Sequence, residues 1–196
     1  LLEPSHAEAD YRVRIFTPYE EFDFAGHPTL GSAAAWRALG NEPQEKGRIV
    51  QECGVGLVTV REEDAVFSFA TPPLRREGPL TAAELEEACA GLGLESADIV
   101  DHGWVDNGPG WRLLQLRDAD AVRAVKPRAK RPKVGIVGLN PNATKSEPTY
   151  EVRAFTTQFE DPVTGSFNGG AAQFMRSRNL VPSRYTAAQG SQVGRA

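Results

Sequence analysis

Cysteine is nearly absent: Cys53 and Cys89 are the only two in 196 residues. They form no C-x-x-C pair, and His6, His27 and His102 are scattered, so neither a disulfide framework nor a structural zinc site is expected. Cys89 falls on the apolar face of an expected helix and reads as a small buried residue. Long apolar runs are missing too. No stretch reaches the ~20 residues of a bilayer-crossing helix, and no basic segment followed by an apolar core opens the chain. Neither sign of charge dominates, with 22 Lys and Arg against 26 Asp and Glu. Affinity for nucleic acid therefore gains nothing from composition. The basic run from Lys126 to Lys133 is broken by Pro127 and Pro132 and reads as a solvated linker. Methionine occurs once, as Met175, and the chain opens at Leu1, so a natural start is expected to lie upstream. What is present, 40% hydrophobic and 24% charged residues, suits a soluble globular protein with the cytoplasm as its default location.

Two motif classes fail on spacing. Gly135-Ile-Val-Gly138 lacks the G-x-G-x-x-G interval, and no G-x-x-x-x-G-K-[ST] loop occurs. A hydrolase built from Ser166, His27 and Asp161 is disfavoured because no G-x-S-x-G elbow carries the serine.

An internal repeat organises the rest. Tyr11-Arg-Val-Arg-Ile-Phe-Thr17 recurs as Tyr150-Glu-Val-Arg-Ala-Phe-Thr156. Tyr11, Val13 and Ile15 alternate with arginines, as Tyr150, Val152 and Ala154 alternate with Glu151 and Arg153, which is the period of a strand. Each copy then runs through an acidic-aromatic stretch that includes Glu20 or Glu160, a glycine-rich turn and an alanine-rich helix. The first helix, from Leu30 to Gly40, is apolar in nearly every direction and is expected to be surrounded by protein. The second is expected from Ala171 to about Leu180, with Arg176 and Arg178 at its cation-favouring end and Pro182 beyond. Two lobes related by an approximate two-fold axis are the consequence, with the helix entrances facing each other.

Between the copies, Gly47–Cys53, Gly56–Val60 and Ala65–Ala70 read as strands, the last two joined by Glu62-Glu63-Asp64. Thr81 with Glu84 forms a capping box for a helix with Leu85, Ala88, Cys89 and Leu92 on one face, ending near Gly91 or Gly93. After the stretch Asp98–Gly110, strands are expected at Trp111–Leu116 and Lys133–Leu139. Between them Asp118 caps a short helix with Val122 and Val125 inward, and Pro127 ends it. The lobe boundary is placed near Asp101, giving residues 1–101 and 102–196, the first incomplete at its start and the second at its end.

Chemistry is expected at the two helix entrances, Gly26-His27-Pro28 and Asp161 to Ser166. Unpaired N–H groups there attract carboxylates or phosphates. His27, with an ordinary pKa near 6.5, suits proton transfer at neutral pH, and Asp161 suits a base or its orienter. Each has a plainer reading, His27 as a loop histidine and Asp161 before Pro162 as a turn residue. Their occurrence at matching points of a repeat favours function.

Arg14-Ile-Phe-Thr-Pro18 running into Phe24-Ala-Gly-His-Pro-Thr-Leu-Gly31, followed by Glu160-Asp-Pro-Val-Thr-Gly-Ser166, resembles the paired signatures of the phenazine-biosynthesis (PhzF-like) proteins, from Leu1 to the Gln189-Gly190 region. The resemblance implies an α+β, diaminopimelate-epimerase-like fold in which each lobe is a curled, mostly antiparallel sheet around a central helix. It implies an isomerase that moves a proton on a small carboxylate-bearing substrate in the cleft, with no metal or organic cofactor and often as a homodimer. By position, His27 and Asp161 would handle protons, while Gly26, Gly165 and Ser166 would line the site and hold a carboxylate. The family's glutamate general base precedes the segment that Leu1-Leu-Glu-Pro4 resembles. Glu3 stands too late to replace it, and the last strands lie after Ala196. The chain by itself is thus expected to lack part of the machinery, since a general base is worth ~10²–10⁴ in rate. Two-thiol racemisation, known in the same fold, is disfavoured because Ala25, His27 and Asp161 occupy the thiol neighbourhood and Cys53 and Cys89 lie elsewhere. The alternative is a binding protein of the same fold that keeps the anion site without the chemistry.

Overall fold

The computed structural model describes residues 1–16, 21–128, 130–144 and 146–195. Thr17, Pro18 and Glu20, which contribute to the first repeat and its motif, lie outside the described residues. The chain divides into two compact units, Leu1–Thr71 and Pro72–Ala196.

In the first unit the repeat strand is interrupted. Tyr11 and Arg12 (β1) pair in parallel with Arg48–Cys53 (β4), Tyr11 opposite Gln51, whereas Ile15–Phe16 (β2) pairs antiparallel with Glu21–Phe22 (β3). The helix Gly26–Ala38 (α1) comes next, then β4, Gly56–Glu63 (β5) and Val66–Phe69 (β6), which complete a four-stranded sheet in the order β1-β4-β5-β6. The β5–β6 turn is tighter than expected: Glu62 and Glu63 remain in the ladder, opposite Phe67 and Val66, and only Asp64 and Ala65 turn, with φ of 50° and 62°. Tyr11, Val13, Ile15, Ala33, Trp36, Ile49 and Val60 form the core, with the Tyr11 and Trp36 rings stacked at 5.5 Å.

Enclosure of α1 is partial among the described residues. Only Thr29, Ala33 and Trp36 are buried, and Leu39 at its C-terminal end is 73% exposed. Within this unit the sheet lies against one face of the helix, through β4 and β6.

The second unit is built on Arg76–Gly78 (β7), Ala82–Leu92 (α2), Ile99–Asp106 (β8), Arg112–Leu116 (β9), Ala119–Ala124 (α3), Val134–Leu139 (β10), Tyr150–Phe155 (β11), Glu160–Asp161 (β12), Gly165–Ser177 (α4) and Ala187–Gln189 (β13). The strands form one sheet in the order β12-β11-β10-β9-β8-β7, with β13 also paired to β11. The capping box is present: Thr81 accepts from the Glu84 N–H, Glu84 accepts from the Thr81 N–H, and Gly93 closes α2 in the left-handed region at φ 70°. Asp118 accepts from the Ala121 N–H and starts α3. Lys126–Lys133 carries no helix or strand among its described residues.

The two units divide at Thr71, whereas the sequence suggests a boundary near Asp101. Asp101 lies inside β8, which pairs with β7 on one side and β9 on the other. Ala88, Cys89 and Leu92 of α2 pack in the same core as Leu114, Val122 and Phe155. Apolar burial thus ties residues 72–101 to β9, α3 and β11.

Alternation along β11 also had another cause than an exposed face. All six residues are buried. Arg153 forms a bidentate pair with Glu160 at 2.8 and 2.7 Å and donates to the Val122 and Val125 carbonyls at 3.1 and 2.6 Å. Glu151 accepts from Arg123 and Ser191. Charges are buried here because they are paired.

Candidate functional site

The two helix entrances share a construction that the sequence repeat only outlined. The offset separating Tyr11 from Tyr150 also relates Ile15 opposite Phe22 to Ala154 opposite Asp161, and Phe16 opposite Glu21 to Phe155 opposite Glu160. It carries Gly26, the first residue of α1, onto Gly165, the first of α4, and both helices run for 13 residues. It also carries the bidentate pair Arg14–Glu21, at 2.8 Å for both bonds, onto Arg153–Glu160. In each copy a hairpin is cross-braced by arginine and glutamate and delivers the chain into a helix.

At this offset His27 corresponds to Ser166, and Asp161 corresponds to Phe22. His27 and Asp161 therefore do not occupy the same point of the repeat, as the sequence suggested. They lie near corresponding entrances: His27 is exposed in the first turn of α1, and Asp161 is half-buried at the end of β12. Gly26 and His27 belong to the first unit; Asp161, Gly165 and Ser166 come together in the second.

Neither entrance has a capping side-chain hydrogen bond or an acidic residue in its first turn. The helical ladders begin with Thr29 N–H to Ala25 C=O at 3.1 Å and Asn168 N–H to Thr164 C=O at 2.9 Å. The N–H groups of Gly26 and His27, and of Gly165, Ser166 and Phe167, precede those bonds at the positive end of a helix dipole.

The α4 entrance is held from several sides. Asp161 Oδ1 accepts from the Val163 N–H at 3.2 Å, folding the turn over Pro162. Ser166 Oγ accepts from the indole N–H of buried Trp111 at 2.9 Å, and the Ser166 carbonyl accepts from the Asn107 amide at 2.8 Å. A serine hydroxyl that already accepts one bond keeps its own proton for another acceptor. Phe167 packs edge-to-face on Trp111 at 5.5 Å and is fully buried.

At the α1 entrance, the buried Thr29 hydroxyl accepts from Gln51 at 3.0 Å and Gln51 accepts from the Tyr11 hydroxyl at 2.9 Å. Burial pushes the Tyr11 hydroxyl well above its ordinary range, and Tyr150 at the corresponding position behaves alike for the same first cause.

Gln189, Trp111 and Asn107 were not anticipated as site residues. Trp111 read only as a strand start and Gln189 only as the far limit of a resemblance. Their roles arise from long-range placement that leaves no local pattern. Gly135 and Gly138, already rejected as a phosphate loop, are packing positions: a Cβ on Gly135 would meet the Phe167 ring at 2.1 Å, and one on Gly138 the Asp118 carbonyl oxygen at 2.1 Å. Cys53 and Cys89 are both free, and burial pushes the Cys89 thiol up, helped by the charge of Asp98. Among the described residues no helix is long and apolar enough to cross a membrane.

The architecture defines an α+β protein with two matched hairpin-to-helix entrances. The whole chain, residues 1–196, matches the family of phenazine biosynthesis-like proteins, and it belongs to that family. It is 30% identical to antisense-enhancing sequence 1 of Schizosaccharomyces pombe, over 98% of this chain and 71% of that protein. It is 27% identical to trans-2,3-dihydro-3-hydroxyanthranilate isomerase of Pseudomonas aeruginosa, over 96% of this chain and 68% of that protein. The fold is that of a PhzF-family structure from Bacillus anthracis, with a TM-score of 0.76 and 22% identity over 97% of this chain and 71% of the other.

Proposed function

We propose that the protein is an isomerase that moves a proton between carbons of a small carboxylate-bearing substrate, using no cofactor and working as a cytoplasmic homodimer. Asp161 and His27 handle the proton, and the N–H groups of Gly26, Gly165 and Ser166 hold the carboxylate. One C–H bond breaks and another forms, and the charge released in between spreads toward a carboxylate held by fixed N–H dipoles. The observation that carries this reading is the pair of matched entrances, each without an acidic first turn, one followed by an imidazole and the other preceded by a carboxyl. The Pseudomonas aeruginosa relative is named for isomerising a ring that bears a carboxylate.

In the whole protein, with trans-2,3-dihydro-3-hydroxyanthranilate as probe, Asp161→Asn and His27→Ala are each expected to lower kcat by about 10²- to 10⁴-fold. Unchanged turnover in both variants contradicts the assignment. A second reading, anion binding without chemistry, is favoured by one observation: Gly165 and Ser166 stand together with their supports in one unit, while the proton-handling pair is divided between two. Binding of the probe without turnover by the unmodified protein supports that reading instead.

A further inference from the structure

The side chain of Gln189 makes four hydrogen bonds to the segment that runs from Asp161 into α4. Its Nε2 donates to the Asp161 carbonyl at 2.8 Å and to Thr164 Oγ1 at 3.1 Å. Its Oε1 accepts from the Thr164 N–H at 3.2 Å and from Asn168 Nδ2 at 2.6 Å. Two donors and two acceptor sites are the full capacity of a carboxamide. All of it is spent on one turn.

The placement is set by the sheet. β13 and β12 lie along the same edge of β11, Gln189 opposite Val152 and Asp161 opposite Ala154. The amide therefore sits beside the end of β12, where the chain leaves the ladder and has no strand partner before α4 begins. Next to it, a Cβ on Gly190 would meet the Pro162 carbonyl oxygen at 2.8 Å, so the β13 backbone also lies close to this turn.

We propose that Gln189 is the positioning residue of the site. Its amide fixes the turn from Asp161 to Ser166, and thereby sets the Asp161 carboxyl relative to the Gly165 and Ser166 N–H groups. The inference deepens the proposed function and its catalytic consequence rests on that reading, but the fixing of the turn is a separate physical claim. The order of donors and acceptors is the essential property: a carboxylate of the same shape cannot donate, and a thioether cannot donate and accepts only weakly.

The test compares the whole protein with its Gln189→Glu and Gln189→Met variants by amide hydrogen exchange at pH 7 and pH 4. At pH 7 the hydrogen-bonded amides of the turn, those of Val163, Thr164 and Asn168, are expected to exchange about tenfold faster or more in both variants, the equivalent of one lost hydrogen bond. The Glu variant is the faster, because its charged carboxylate faces the Asp161 carbonyl, which can only accept. At pH 4 a protonated Glu regains an O–H donor, so its exchange falls below that of the Met variant. A space-filling role predicts no such crossing. Protection along β10 and β11 stays at the unmodified level if the effect belongs to the turn. Wild-type protection of the turn in both variants, or equal loss along β10 and β11, overturns the proposal. A crossing in a protein that does not turn over the probe supports the role of Gln189 in the turn and counts against the isomerase reading alone.

Discussion

The arginine–glutamate brace of the first hairpin and that of the second are built alike and differ in surroundings. Arg14 and Glu21 are 51% and 41% exposed, whereas Arg153 and Glu160 are 5% and 11% exposed. The helices differ in the same sense, with Thr29, Ala33 and Trp36 buried in α1 against Phe167, Gly169, Gly170, Ala171, Phe174 and Met175 in α4. Local sequence thus specifies the hairpin, its brace and the point where the helix begins. The elements packed outside it, α3 and the wider sheet in the second unit, decide how much each contact is worth.

The largest test of that contrast is removal of the arginine from each copy. Arg153→Ala leaves Glu160 buried without a partner and frees the carbonyls at the end of α3, so unfolding of the second unit should cost about 3–5 kcal/mol less. Arg14→Ala, in solvent, should scarcely move the denaturation midpoint of the first unit. Equal effects in urea titrations would mean that burial does not separate the copies.

Next in size are the corresponding glycines Gly31 and Gly170. A Cβ on Gly170 would stand 2.5 Å from the Val105 carbonyl oxygen, while one on Gly31 meets nothing within 4 Å. Gly170→Ala should destabilise by about 1–3 kcal/mol through overpacking. Gly31→Ala should stabilise by about 0.5–1 kcal/mol through helix propensity. Opposite signs in thermal melts are the expected outcome.

The smallest expected effect is on acid sensitivity. The Thr81 N–H, the Trp104 indole and Arg76 hold the Glu84 carboxyl at about 2, below its ordinary 4.5. Because the folded value is the lower one, its stabilisation is present above about pH 4.5 and fades as pH falls toward 2. Glu84→Gln should flatten that part of the second unit's stability profile, and an unaltered slope would remove the carboxylate from the explanation. In the first unit Glu52 is lowered by Ser5, His6 and Arg12, so Glu52→Gln gives the matching measurement there.

Much of this was legible in the sequence where a signal is local. Tyr-x-Val-Arg-x-Phe revealed the doubled unit, Thr81 and Glu84 announced α2, and Asp118 announced α3. α4 starts before the expected Ala171 because Gly169 and Gly170 lower helix propensity, and packing against β8 and β10 carries the helix back to Gly165. β8 has no signature in the sequence, since Asp101, His102 and Gly103 disguise a strand whose pairing comes from both neighbours. β12 and β13 are too short to have a period. At the site, glycine turns and titratable residues marked His27 and Asp161, but the supports at Gln189, Trp111 and Asn107 lie far along the chain and leave no spacing to read.

The central claim is carbon-bound proton transfer, and deuterium incorporation tests it most directly. With the whole protein in deuterium oxide and trans-2,3-dihydro-3-hydroxyanthranilate as probe, mass spectrometry is expected to find solvent deuterium on a ring carbon of the product, and Asp161→Asn should abolish it. Binding of the probe with no deuterium at carbon, or incorporation that survives Asp161→Asn undiminished, would contradict the account.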